Sequence, residues 1–265
     1  MMRRWAILLA MIFMAGPAVA GTPQIGTPQI GVPQAGAVWT DPATDIPFVW
    51  VPGGSYEMGC RSTEGPCPEG VAAPQTRRIG GFWMSRTEIT RAQWARLMSS
   101  DPSVAKKADD YPVDQVHWED AQDFLSRLNK TGHGVFRLPS EAEWEYACRG
   151  GKAGESYCGG NDPDDLSWNI HNSKRSSQPV GLKRANGFGL YDMSGNLWEW
   201  TQDCWSESLP PGSDAKAYQD KECASRVLRG GSWGAYPAQL RASARRNDSD
   251  VKCPYIGLRL VRDPD

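Results

Sequence analysis

Asn186-Gly-Phe-Gly-Leu-Tyr-Asp-Met-Ser-Gly-Asn-Leu-Trp-Glu-Trp200 is the stretch on which the fold turns. It carries neither a helical stripe nor a sustained strand alternation, and its apolar residues are broken up by Gly, Asn and Asp. The same texture runs from Gly151 to the C-terminus, with Pro added. The second half therefore reads as irregular, with short strands and no helix. Loops of that extent are uncommon in compact domains unless disulfides, buried Trp or metal ions tie them down.

Upstream of this half the periodicity is regular. In residues 118–128, Ala121, Phe124, Leu125 and Leu128 fall at i, i+3, i+4 and i+7, opposite Glu119, Asp123 and Arg127, which predicts an amphipathic helix. A second helix starts at Pro139-Ser140, with Ser140 as cap and Glu143 as its capping-box partner, and ends near Gly150-Gly151. Thr90 with Gln93 forms a capping box before a short helix that puts Trp94, Leu97 and Met98 on one face. Further upstream, Phe48-Val-Trp-Val51, Pro52-Gly-Gly54 and Tyr56-Glu-Met-Gly59 read as strand, turn and strand.

The 265 residues include 29 Lys plus Arg against 31 Asp plus Glu, a net charge of -2. No basic field is available to hold a phosphate backbone, which argues against dedicated nucleic-acid binding. The first 20 residues read as an export signal: Arg3 and Arg4, an apolar run from Trp5 to Met14, and Ala18-Val-Ala20 as cleavage site. That run is too short to span a bilayer, so the expectation is an exported, periplasmic or extracellular chain with no membrane span after cleavage. Residues 21–35 repeat Gly-Thr-Pro-Gln-Ile, Gly-Thr-Pro-Gln-Ile, Gly-Val-Pro-Gln-Ala; Pro every fifth residue disfavours helix, and residues 21–45 are expected to be a tether, the folded domain being 46–265. The alternative for the repeat is a partner-binding strand.

Seven cysteines in an exported chain can pair. Three pairs close small loops, Cys60 with Cys67, Cys148 with Cys158 and Cys204 with Cys223, leaving Cys253 over; Cys148 with Cys253 is an equally allowed long-range bridge.

Read in order, VPGGSYEMG, RTEITRAQW, YPVDQVHWEDAQDF, RLPSEAEWEYACRGG, NGFGLYDMSGNLWEW, RVLRGGSW and IGLRL resemble the formylglycine-generating, or sulfatase-modifying factor, family. The match runs from about Phe48 to about Arg262. It implies an α+β fold, a single C-type-lectin-like domain with little regular secondary structure.

The resemblance also implies metal chemistry. Relatives bind calcium through loop oxygens, and the matching positions are Asp192, the carbonyls of Gly195 and Leu197, and Glu199. That donor set suits Ca2+, which takes about six to eight oxygens. A second calcium site in relatives uses an Asn-Ile pair, matched by Asn169-Ile170, though the stretch that follows is shorter here. Relatives that oxidise a sulfatase Cys hold Cu(I) between two thiolates in the loop after the GGS-aromatic motif, soft ligands for a soft ion. Here residues 230–245 contain no Cys, so copper-dependent formylglycine generation is not expected. The iron-dependent relatives need a His cluster, whereas His117, His133 and His171 are at no ligand spacing. Glu141, Glu143 and Glu145 alternate on a helix where only the outer two share a face, and that motif reads as scaffold.

What the resemblance leaves is a groove. Trp198 and Ser232 match residues that line it in relatives, and Trp233, Tyr236, Arg241 and Arg245 follow. Aromatic and Arg side chains dominate binding hot spots. The expectation is a calcium-containing binding or accessory protein of the cell envelope that holds a peptide or protein, by analogy a regulator of a type VI secretion or kinase signalling system, with an envelope protein or receptor ectodomain as partner. The rival is an oxidase or tailoring enzyme on a peptide-like substrate.

Overall fold

The computed structural model describes residues 31–61, 67, 74–104, 107–248 and 253–265. The expected export signal and the first two pentapeptides lie outside them. Residues from Pro33 to Asp265 form one compact unit.

Its elements are β1 (Val38–Thr40), β2 (Pro47–Val51), β3 (Gly54–Met58), β4 (Gln75–Ile79), β5 (Phe82–Ser85), α1 (Arg91–Ala95), α2 (Trp118–Asn129), β6 (Phe136–Arg137), α3 (Glu141–Arg149), α4 (Pro163–Leu166), β7 (Trp198–Cys204), β8 (Arg226–Arg229), β9 (Arg245–Asp248), β10 (Ile256–Gly257) and β11 (Val261–Arg262), with a 3-10 turn at Pro237–Leu240. Among the described residues they build a five-stranded sheet ordered β1-β2-β5-β11-β6, a four-stranded sheet ordered β10-β7-β8-β9, and the pair β3-β4. The fold is α+β with short elements, as the sequence predicts.

The predicted helices start at their caps, but the first is shorter than its expected face: α1 stops at Ala95, leaving Leu97 and Met98 beyond its end. Ala121, Phe124, Leu125 and Leu128 are the buried face of α2, and Phe124 stacks on Trp94 of α1 with ring centroids 5.0 Å apart. Both capping boxes close: Thr90 accepts from the Gln93 N–H, and Ser140 from the Glu143 N–H. Gly150 ends α3 in the left-handed region at φ 58°, and a Cβ there would lie 2.7 Å from the Gly187 nitrogen. That contact keeps α3 against the loop that begins at Asn186.

One local detail goes beyond the sequence reading and two go against it. The strands on either side of Pro52-Gly53 do not pair with each other: β2 lies between β1 and β5, while β3 pairs with β4. The sheet also reaches upstream of the expected boundary at 46, because Val38–Thr40 pairs antiparallel with Pro47–Val51 and the Trp39 ring packs 5.6 Å from Phe48. Finally, α4 is a one-turn helix in the half expected to have none. Asp162 caps it and Pro163 opens it, a signal present in Asn161-Asp-Pro-Asp-Asp-Leu166.

The disulfides are the three short-loop pairs, Cys60–Cys67, Cys148–Cys158 and Cys204–Cys223. Cys253 is free, so the alternative bridge from Cys148 does not form.

α3 is buried from end to end, including its three glutamates. Glu141 and Glu145 share a face, as their spacing requires, and both meet Arg229, at 3.7 and 2.6 Å. Glu145 also pairs with Arg149, while Glu143 forms a two-pronged pair with Arg137 at 2.6 and 2.7 Å. The motif is scaffold, and its charges belong to the interior.

Candidate functional site

The loop from Asn186 to Leu197 is held by carboxylates. Asp192 and Asn196 adopt left-handed backbone (φ 55° and 59°), and a Cβ on Gly195 would lie 2.3 Å from the Trp168 carbonyl. So tight a turn leaves several N–H groups without strand partners, and acids fill the gap. Glu88, between β5 and α1, accepts from the Leu197 N–H (2.8 Å) and the Asn196 side-chain amide (2.7 Å). Asp192 Oδ2 accepts from the Gly181 N–H at 2.6 Å.

Glu199 opens the buried floor beneath this loop. Its carboxylate accepts from Arg259 Nε (2.6 Å) and Nη2 (2.7 Å), and from the Trp144 indole N–H (2.6 Å). Glu88, Asp192, Glu199 and Arg259 thus share one interior region with three acids to one guanidinium. Burial, then the charges of Asp192 and Glu199, push the Glu88 carboxyl well above the usual range. Burial likewise raises Asp192 to about 6 despite the Gly181 N–H and Arg259.

The cluster leaves acid oxygens with spare acceptor capacity. Asp192 Oδ1 is buried with no hydrogen-bond partner. Glu199 Oε1 receives one donor, Arg259, and keeps a lone pair. Gly195 and Leu197 add carbonyls on the same loop. Among the described residues no three His, Cys, Asp or Glu side chains converge as a metal site by themselves. A cation here would lean on those carbonyls, as calcium does.

The Asn169-Ile170 pair differs from Asp192 in having a donor on its side-chain oxygen. Asn169 Oδ1 accepts from the His171 N–H, and its Nδ2 donates to Asp164 and Ser167. The Ile170 N–H donates to the Ala235 carbonyl. The amide is engaged in its own turn, without the donor-less oxygen that marks Asp192.

The groove candidates separate into two groups. Ser232, Trp233 and Tyr236 stay together on the turn after β8, which the Trp233 N–H ties to the Asn196 carbonyl at 2.7 Å. The Trp233 ring lies 4.5 Å from Tyr255, and Tyr236, 62% exposed, meets His171 edge-on at 6.2 Å. Ser232 is buried, with its hydroxyl accepting from the Gly234 N–H at 3.4 Å. Arg241 is half-buried on the same segment, close enough for its charge to act on Tyr157.

Trp198 and Arg245 do not present their side chains on this turn, although the Trp198 N–H reaches the Tyr255 carbonyl at 2.7 Å. Trp198 is a core residue of β7, packed among Trp200, Leu228 and Ile256. Arg245 grips both oxygens of Glu141 (2.5 and 2.9 Å) and covers the Trp205 ring, so it anchors β9 to α3 and does not face a groove. Its partner is 104 residues away in sequence, beyond the reach of local pattern.

Two residues that organise the region had been overlooked. Glu88 lies in Arg86-Thr-Glu-Ile89, and Arg259 is a lone charge in Ile256-Gly-Leu-Arg-Leu260. For Arg259, a charge within an apolar run signals a buried ion pair, because burial without a partner is costly, whereas the polar Arg86-Thr-Glu stretch gives no such signal for Glu88.

The loop that would hold copper in a formylglycine-generating enzyme contains no thiol. Six of the seven cysteines are in disulfides, and Cys253 is alone. The wider likeness is nonetheless extensive. The pattern of the sulfatase-modifying factor enzyme 1-like domain matches residues 34–264. The formylglycine-generating enzyme of Streptomyces coelicolor is 32% identical over 222 residues, covering 74% of this chain and 67% of its own length. An inactive Cα-formylglycine-generating enzyme 2 from Bos taurus is 33% identical over 65% of this chain, which spans 57% of that protein. Among solved structures, PvdO from Pseudomonas aeruginosa superposes with a TM-score of 0.78 at 26% identity, covering 88% of this chain and all of its own. With the fold, the Asn186–Trp200 loop and a match over nearly all the described residues in agreement, the chain belongs to the sulfatase-modifying factor family.

Proposed function

We propose that this chain is an exported accessory protein of the cell envelope, which binds a peptide or protein ligand and performs no copper-dependent oxidation. The carrying observation is the state of its cysteines: none lies in residues 230–245, and six are committed to disulfides elsewhere. Cu(I) held by two thiolates has no ligands in such a chain. Three disulfides suit an oxidising compartment outside the cytoplasm. No helix among the described residues is long and apolar enough to cross a membrane. The family also contains a member named as inactive.

The ligand-facing surface in this reading is the turn bearing Trp233 and exposed Tyr236, with Tyr255 and His171 beside it. Rigid aromatic side chains on a loop fixed to a buried base supply contact area at low entropic cost. The partner is a protein or peptide of the envelope, such as a receptor ectodomain. The test is oxygen consumption by the oxidised protein with Cu(I), a reductant and a sulfatase-type Cys peptide. No turnover above the copper blank is expected; turnover that saturates with peptide would replace this reading with the oxidase.

Calcium belongs to the same proposal, on Asp192, Glu199 and the carbonyls of Gly195 and Leu197. A ligand held only by the folded state raises the melting temperature by mass action. Chelation is expected to lower Tm by about 5 °C, given about 2–4 °C per kcal/mol for a domain of this size. Asp192→Asn should remove most of that response. An unchanged Tm in the wild-type protein would rule calcium out.

A further inference from the structure

The β3–β4 pair is a sheet to itself among the described residues, so β3 has one edge with no strand beside it. Ser55 lies opposite Arg78, whose N–H donates to the Ser213 carbonyl at 2.7 Å instead of crossing to β3. The two are therefore a non-hydrogen-bonded pair, and the N–H and C=O of Ser55 point away from β4. Glu57, two residues on, has the same orientation, and its carbonyl accepts from Arg61 Nη2 at 2.9 Å. Among the described residues no group meets the Ser55 N–H, the Ser55 carbonyl or the Glu57 N–H. An open edge of this kind is a template for another strand.

That edge runs along a cavity of about 640 Å3, lined by Ser55, Tyr56 and Glu57 of β3 and by Tyr146, Gly151 and Ala153 of α3 and the turn after it. The volume is within the roughly 300–1,000 Å3 of ligand pockets. The Tyr56 and Tyr146 rings lie 5.4 Å apart, and their hydroxyls are taken by the Ala142 and Pro52 carbonyls at 2.8 and 2.9 Å, so they present carbon to the cavity. Charges at the mouth balance among the described residues. Arg149 is answered by Glu145 at 2.8 Å and Lys152 by Glu155 at 3.5 Å, while Arg61 and Glu57 offset each other.

We propose that the β3 edge binds an uncharged extended peptide by strand addition, with the peptide backbone on Ser55 and Glu57 and one apolar side chain in the cavity between β3 and α3. Main-chain hydrogen bonds supply the affinity in this mode, and the pocket selects the side chain. The balanced charge at the mouth gives a polyanion or polycation no complementary field. The carbon walls favour Leu or Phe at the inserted position. None of the lining residues belongs to the Trp233–Tyr236 turn, so the site stands independently of that surface.

The test is fluorescence anisotropy of labelled acetyl-Thr-Val-X-Val-Thr-amide peptides, X being Leu, Phe or Ala, titrated with the full chain. Saturable binding of the Leu or Phe peptide, at least tenfold weaker with Ala, is expected. Methylating the Val and X nitrogens blocks both edges of the peptide and should abolish binding. Ser55→Pro removes one edge N–H without touching the ladder to β4, since Pro is tolerated where the N–H faces away from the sheet, and should weaken binding at least tenfold. The methylated peptide against the unaltered protein keeps the test decisive if that variant does not fold. No saturable binding, binding undiminished by methylation or by Ser55→Pro, or binding lost in Tyr236→Ala would overturn the assignment.

Discussion

Replacing Arg259 with Met is expected to lower the unfolding free energy by about 3–5 kcal/mol, the range for breaking a buried pair by removing one partner. The side chain is fully buried. It makes two bonds to Glu199 and two more to the Ser85 and Tyr191 carbonyls. Without it, the Glu199 carboxylate loses its opposing charge beside Glu88 and Asp192, whose carboxyls burial already pushes toward the neutral form. The cost comes chiefly from that stranded carboxylate, since an intact buried pair adds little beyond what an apolar substitute would. Arg96→Met is the control: its partner Asp45 is 63% exposed, and solvent limits such a pair to about 0–1 kcal/mol. Urea unfolding of the two variants checks the contrast. A cost below about 1 kcal/mol for Arg259→Met would mean that its partner carboxylate is not held charged in the folded state.

Stability is also expected to fall as pH rises from about 4 to 7, through Asp203. Burial first, then the Glu141 charge, raises this carboxyl from 3.8 to about 7, against the lowering effect of the Tyr218 and Glu141 N–H groups. The folded state therefore holds a proton that the unfolded state has released in that window. Stability contributed by the protonated form is fully present below the unfolded pKa and is lost as pH climbs to the folded value, about 4 kcal/mol in all at 1.36 kcal/mol per unit. Asp203→Asn should flatten the slope of unfolding free energy against pH by about one proton's worth between pH 5 and 7. It should also cost stability at pH 5, because an amide has one acceptor oxygen for two N–H donors. Glu88 and Asp192 titrate with the same sign, so the wild-type slope exceeds that of one group, and the difference between the two proteins isolates Asp203. Equal slopes would show that Asp203 is ionised in the folded state at pH 5.

Legibility in the sequence followed the range of the interaction. α2 was readable because its stripe closes within eight residues, and α3 because Ser140 and Glu143 cap each other three residues apart. The three disulfides were the three shortest loops. The missing copper ligands needed no structure, since an absent Cys is a fact of the chain. The pairing of β2 with β5 in place of β3 was not readable, because the Pro52-Gly53 turn fixes the change of direction and leaves the partner open. The groove proved the least legible part. Trp198 and Arg245 carry side chains suited to binding, yet one fills the core and the other answers Glu141 across 104 residues.

By itself, the sequence determined α2 and α3, the caps of α1 and α3, the family and the absence of two thiolates in the loop of residues 230–245, while the choice of Cys148–Cys158 over the equally allowed Cys148–Cys253 came from the structure. What the sequence determined rests on residues near one another in the chain, or on a residue type being present or missing. Tertiary structure alone decided which charges are interior and what answers them: Glu141, Glu143 and Glu145 against Arg229, Arg137 and Arg245, Glu199 against Arg259, and Arg77 against the Pro210 carbonyl. A buried charge is settled by what lies within a few ångströms of it, and in this fold those neighbours come from distant parts of the chain.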